Sequence, residues 1–207
     1  MNSEFSVMVF DLGNVLLSFD YQTAVAKLDK VEKGLGEHFL KFYYDNYEYH
    51  REFERGNLSE DGFVDIMLTA LKNKIDKKTF CEFYSHIFSE NKEVVDLLPQ
   101  LKKTYKLVLL SNTNIIHYQY GWEQYDFLKY FNKIVVSYEA GAVKPEEKIY
   151  RAVESATGEN PGKHFFIDDI GEYVEAAKAL GWKGTQFKNY NGLLTELINR
   201  GILSKGK

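Results

Sequence analysis

A single cysteine, Cys81, stands among 207 residues, which excludes an intrachain disulfide and fits a reducing compartment. Its neighbours Phe80, Phe83 and Tyr84 assign it a buried packing role rather than that of a reactive thiol. Lysine and arginine form no block, and 26 of them against 30 acidic residues leave a net charge of −4. A nucleic-acid backbone is therefore not an expected partner. No apolar run approaches membrane-spanning length, and MNSEFSVMVF lacks the basic start and long apolar stretch of an export signal. These absences predict a cytoplasmic protein that engages neither membrane nor nucleic acid. Internal repeats and low-complexity stretches are missing too, and the closing Gly-Lys reads as a solvated tail.

Apolar and aromatic residues are not scarce. A hydrophobic content of 44% over this length supports a sizeable core, either one large domain or one domain with an inserted module. Fifteen tyrosines and fifteen phenylalanines concentrate at Phe39–Phe53 and His117–Phe131. They read first as amphipathic core packing, with a ligand-facing wall or an oligomer contact as alternatives. The oligomeric state stays open.

Three short apolar runs each end on a residue that chemistry can use. VMVF (Val7–Phe10) leads into Asp11, LVLL (Leu107–Leu110) into Ser111, and HFFI (His164–Ile167) into Asp168–Asp169. A fourth run, Lys133–Ser137, precedes Lys144. After residue 91 helix and strand alternate. Val94, Val95, Leu98 and Leu101 share a helix face, Pro145 fits the first position of a helix to about Ala156, and strand 184–187 lies between helices 171–180 and 191–199. This alternation predicts an α/β fold, a Rossmann-like parallel sheet with helices on both faces.

Between the first strand and this repeat lie about seventy residues of helical period. Phe63, Ile66, Met67, Ala70 and Leu71 fall on one face, with Ser59 as N-cap and Glu60 and Asp61 at the positive end of the dipole. Phe80, Phe83, Tyr84, Ile87 and Phe88 repeat the pattern, and Thr23–Val31 and Gly36–Phe53 also read as helices. The expected organisation is an α/β core from 1–17 and 91–207 with an all-helical cap, 18–90, free of strands.

In an open parallel sheet the C-terminal strand ends share one crevice, so Asp11, Ser111, Lys144, Asp168 and Asp169 converge. Such a set suits attack on a phosphate. A carboxylate serves as nucleophile and metal ligand, further carboxylates suit Mg²⁺, and an ammonium offsets anionic charge. Ser111 with the backbone amides of Asn112 and Thr113 is expected to hold phosphoryl oxygens. Each residue alone has an ordinary reading as a cap, turn or helix start. The ordered set does not.

That set resembles the haloacid dehalogenase-like hydrolase superfamily, in particular its phosphatases with a helical cap. VFDLGNVLLSFD (Val9–Asp20), LLSNTN (Leu109–Asn114), KPEEKIY (Lys144–Tyr150) and FFIDD (Phe165–Asp169) are similar to its four motifs. DLGN and LSNTN, with His117 three residues on, are most like the α-glucose-1-phosphate phosphatase branch. The resemblance implies Asp11 as nucleophile, Ser111 and Lys144 as phosphoryl-site residues, and Asp11, Asp168, Asp169 and the Gly13 carbonyl as the Mg²⁺ site. It also implies Asn112, Thr113 and His117 near a small phosphorylated metabolite as substrate. Two departures stand out. Gly13 occupies the position where most of these phosphatases carry a general acid/base aspartate, and Tyr173 replaces a common asparagine. Glu54 and Arg55 are the cap residues expected near the site. The readings that compete with a phosphatase are a catalytically weak phosphate-binding protein, a sugar-phosphate mutase and a metal-free 2-haloacid dehalogenase.

Overall fold

The computed structural model describes residues 4–204; the closing Gly-Lys lies outside them. Its centre is β1 (Val7–Phe10), four residues without solvent contact. Ribbon β2 (Leu17–Phe19) and β3 (Phe88–Glu90) lies outside the main sheet. That sheet adds β4 (Lys106–Ser111), β5 (Lys133–Val136), β6 (His164–Asp168) and β7 (Lys183–Gln186), all parallel, in the order β5-β4-β1-β6-β7. Strand alternation divides the core in two. Val7 and Val9 pack on one face with Val108, Leu110, Phe166 and Trp182, beneath helices Glu147–Thr157 and Gly171–Ala179. Met8 and Phe10 turn to the other face, with Leu107, Leu109, Phe165 and helix Tyr190–Asn199. Each such side chain, fully buried, stabilises the fold by about 1.5–3 kcal/mol.

Residues between β2 and β3 form helices Gln22–Val31, Leu35–Asp45, Tyr47–Glu54, Glu60–Ala70 and Lys77–Ser85. They enclose a separate apolar cluster that includes Phe39, Phe63, Met67, Leu71, Phe80 and Tyr84, with Cys81 buried in it. The Ser59 hydroxyl accepts the Gly62 amide at 3.1 Å, the cap read from sequence.

Several expectations need correction. The helix read as Gly36–Phe53 breaks at Asn46, whose side-chain amide donates to the Phe42 carbonyl at 2.9 Å and competes with the helix. The face ending at Phe88 stops at Ser85, because Phe88 pairs with Phe19 in the antiparallel β2–β3 ribbon. The stretch 18–90 is therefore not free of strands. Where the chain leaves the sheet and returns, its two crossings are hydrogen-bonded to each other. The helix through Val94 and Leu101 splits into Lys92–Val95 and Leu98–Leu101, since Pro99 has no amide to bond the carbonyl of Val95. Pro145 precedes the N-cap Glu146 instead of opening its helix, and Ser137 begins a short helix, Ser137–Ala140, instead of ending β5. Among the described residues no helix is long and apolar enough to cross a membrane.

Candidate active site

The ends of β1 and β6 and the loops after β4 and β5 meet at one edge of the sheet. Asp11 follows β1 directly, and its amide donates to the Ile167 carbonyl at 2.9 Å, which pins the residue beside β6. Asp168 ends β6; its Oδ1 accepts the Ile170 amide at 2.8 Å. Lys144 crosses from the loop after β5, and its ammonium donates to Asp11 Oδ1 and Asp168 Oδ2, both at 2.6 Å, and to the Leu110 carbonyl at 3.3 Å. These three acceptors match its three protons.

Burial opposes the charge on Lys144, but Asp11 and Asp168 outweigh it and hold the amine above its ordinary range. Asp11 is pushed up to about 7, by burial first and by Asp168 and Asp169 after it, against the pull of Lys144. Asp169 is also raised, chiefly by burial, while Asn14 donates to its Oδ2 at 3.0 Å. Carboxylate oxygens of Asp11, Asp168 and Asp169 lie within 4.8 Å of one another. Three carboxylates against one ammonium leave an excess of negative charge with hard oxygen donors. That donor set fits a small divalent cation.

The sequence-derived residues otherwise divide. Gly13 lines the crevice beside Asp11: a Cβ there would stand 3.9 Å from Asp11 Oδ2 and 3.4 Å from Phe19. The left-handed residue of this turn is Asn14, at φ 54°, a conformation asparagine tolerates. Ser111 is buried, its hydroxyl donating to the Asn112 carbonyl at 3.3 Å. Asn112 clamps the Lys144 backbone, accepting its amide at 2.7 Å and donating to its carbonyl at 3.1 Å. The Thr113 amide is not available for a phosphoryl oxygen, because it donates to Ser137 Oγ at 2.9 Å. Tyr173, the departure in the fourth motif, lays its ring 5.2 Å from the Lys144 ammonium. The contact is a cation–π one.

Two cavities adjoin at this edge. The smaller, about 160 Å³, holds Asp11, Lys144, Asp169, Asn14, Arg51 and Tyr173. The larger, about 230 Å³, runs under the helical segment between Tyr21, Tyr43, Tyr44, His50, Ser111 and His117. Gly13, Phe19, Tyr47, Glu54 and Asn112 line both and so ring the junction. Of the two cap residues read from sequence, Glu54 is buried at this junction. Arg55 is not in either cavity: its guanidinium binds Glu146 and Glu52 and ties the helical segment to the loop beside Lys144. Sequence reasoning missed Tyr47, His50 and Arg51. Their spacing to Glu54 puts them on one side of helix Tyr47–Glu54, a signal available once Glu54 had been singled out.

A family model for haloacid dehalogenase-like hydrolases matches residues 5–181. The D-ribitol-5-phosphate phosphatase of Bacteroides thetaiotaomicron is 26% identical over 205 residues, covering 93% of this chain and 98% of that protein. A HAD family enzyme from the same organism, solved with magnesium and inorganic phosphate, superposes with a TM-score of 0.74 at 26% identity, over 91% of this chain and 98% of its own. The L-2-haloacid dehalogenase of Xanthobacter autotrophicus, at 19% identity and a TM-score of 0.62 over 96% and 84% of the two chains, shares the fold.

Proposed function

The chain belongs to the haloacid dehalogenase-like hydrolase family, and from that premise we propose that it is a Mg²⁺-dependent phosphomonoester hydrolase. The substrate class is a small phosphorylated metabolite, a sugar or polyol phosphate, as in the relative that acts on D-ribitol 5-phosphate. One observation carries the reading against a metal-free dehalogenase. Asp11, Asp168 and Asp169 bring three carboxylates within 4.8 Å around a single lysine, a cluster that needs a further cation to be stable when ionised. Asp11, Asp168 and Asp169 would hold Mg²⁺, whose contribution when bound is to neutralise phosphoryl oxygens as a Lewis acid.

Lys144 holds Asp11 Oδ1 at 2.6 Å, which leaves Oδ2, on the Gly13 side, to attack phosphorus. The ester P–O bond breaks as the Asp11 acyl phosphate forms, and the alkoxide leaves and takes its proton from solvent water, a proton that the second step returns. Water then attacks the acyl phosphate, releasing inorganic phosphate and restoring the carboxylate. Asn112 keeps Lys144 in place through its backbone. Residues 18–90 act as the cap and 1–17 with 91–207 as the catalytic core, the chain crossing between them at the β2–β3 ribbon.

Hydrolysis of p-nitrophenyl phosphate and a panel of sugar, polyol and nucleotide phosphates tests this. Turnover should require Mg²⁺ and cease in excess EDTA. Full activity in EDTA, or no hydrolysis of any ester, overturns the reading.

A further inference from the structure

His117 lines the larger cavity, and its buried ring nitrogen Nε2 has no partner among the described residues. Its chemistry is fixed by Asn114, which has no solvent contact. The Asn114 carbonyl oxygen Oδ1 accepts the His117 backbone amide at 2.9 Å, so its Nδ2 is the end that meets His117 Nδ1, at 3.2 Å. Nδ2 can only donate. Nδ1 therefore accepts, and the ring proton of the neutral imidazole sits on Nε2. Burial, and His50 after it, hold the imidazole well below its ordinary range, so it stays neutral. Tyr84 stacks on the ring at 4.2 Å and Phe88 meets it edge-on at 5.3 Å, which fixes its direction. The result is a rigid, uncharged N–H donor shut off from bulk water.

Glu54 supplies the complementary group at the cavity junction. Burial pushes its carboxyl up, but His50 and Arg51 outweigh burial and hold it below its ordinary range. Its Oε1 lies 3.2 Å from His50 Nε2, and its Oε2 accepts from Arg51 at 3.2 Å. An anionic acceptor and a neutral donor thus share one aromatic-walled space. A carboxylate or a second phosphate would meet the charge of Glu54. An ammonium could not accept from His117. A hydroxyl does both.

We propose that the larger cavity binds a hydroxyl-bearing, uncharged tail of the ester, with His117 Nε2–H donating to one tail hydroxyl and Glu54 accepting from the tail. The site reads hydroxyls, not size alone. This rests on the phosphatase reading for the other end of the substrate.

The test uses a matched series of polyol phosphates and their single-deoxy analogues, with His117→Phe as the variant, since phenylalanine keeps a ring in the stack. For the wild type, removing the contacted hydroxyl should cost about 10- to 100-fold in kcat/KM. In folded His117→Phe the hydroxyl and deoxy esters should be used alike. A merely structural histidine would lower both rates and keep the discrimination. Binding is read separately in Asp11→Asn protein with Mg²⁺, by long-range ¹H–¹⁵N spectra of the His117 ring. The free protein should show the Nε2–H tautomer, and its proton should shift with the polyol phosphate but not with the critical deoxy ester. That shift without turnover in the wild type would leave the site standing and sink the phosphatase reading. Turnover with discrimination undiminished in His117→Phe, no hydroxyl dependence at any position, or an Nδ1–H tautomer would overturn the inference.

Discussion

The floor of the site and the wall above it follow opposite rules. On the floor, charge is anchored by hydrogen bonds at the strand ends: Lys144 has three acceptors, Asp168 accepts the Ile170 amide, and Asp169 accepts from the Asn14 side chain. The wall holds its groups by ring packing and leaves a donor over, His117 Nε2. A floor built this way suits a group common to every substrate, because its geometry cannot adapt. A wall with an unmatched hydrogen-bonding group suits the part of the substrate that varies, because only the right tail completes it.

The largest effect should come from breaking the floor alone. Asp11→Asn keeps the shape and removes the attacking anion, so kcat should fall by up to about 10⁶-fold, measured in steady state with Mg²⁺. Stability should move the other way. A carboxyl raised to about 7 is ionised at pH 8 against the preference of its site, so the neutral amide should melt higher than wild type in metal-free buffer. Near wild-type turnover would remove Asp11 from the mechanism. A lower melting temperature would mean that the lost pair with Lys144 outweighs the relief.

A smaller effect separates floor from wall by pH. Asp11 titrates near 7 when folded, against an ordinary value of 3.8, so the folded chain holds this proton more tightly than the unfolded one. That contribution to stability is fully present below about 4 and is lost as pH rises to about 7. A cation bound by the carboxylates must displace the proton. Mg²⁺ affinity should therefore be roughly 30-fold weaker at pH 5.5 than at pH 8. Calorimetric melts with and without Mg²⁺ check this. An equal gain in melting temperature at both pH values would place the cation elsewhere.

The same contrast explains what could be read in the sequence. Val7–Phe10 ran into Asp11 and His164–Ile167 into Asp168, and a parallel sheet converts that adjacency into proximity whatever the helices do. The core strands, their order of chemistry and the carboxylate cluster were thus legible. The wall was not. Tyr43, Tyr47 and His50 sit on two helices separated by the break at Asn46, and a reading of Gly36–Phe53 as one helix passes over that break. The Thr113 amide was misread for a related reason: its partner Ser137 lies 24 residues away, on a helix the sequence presented as the end of a strand. Hydrogen bonds of that span follow tertiary packing, which local pattern does not encode.

The smallest predicted effect lies at the junction between floor and wall, where, on the proposed mechanism, Gly13 offers the departing alcohol no acid. Aryl phosphates should then be cleaved faster than alkyl phosphates of similar size, because their leaving groups need less protonation. Gly13→Asp should narrow that ratio by about tenfold, a fraction of the 10²–10⁴ available to a tuned acid. The backbone permits the change: a Cβ meets Phe19 at 3.4 Å and Asp11 Oδ2 at 3.9 Å, both ordinary contacts, and the strained φ belongs to Asn14. The new carboxyl would stand close to Asp11 Oδ2 and raise Asp11 further, so rates must be compared at pH 8, after a melt has verified folding. Equal aryl and alkyl rates in the wild type would show that another group already supplies the proton. Tyr47 is then the candidate. It lines both cavities, and burial, with Glu54 behind it, pushes its phenol up to about 12, so it keeps its proton until an alkoxide demands it. Tyr47→Phe would in that case slow alkyl esters while sparing aryl ones, and the leaving-group dependence absent from the wild type would appear in the variant.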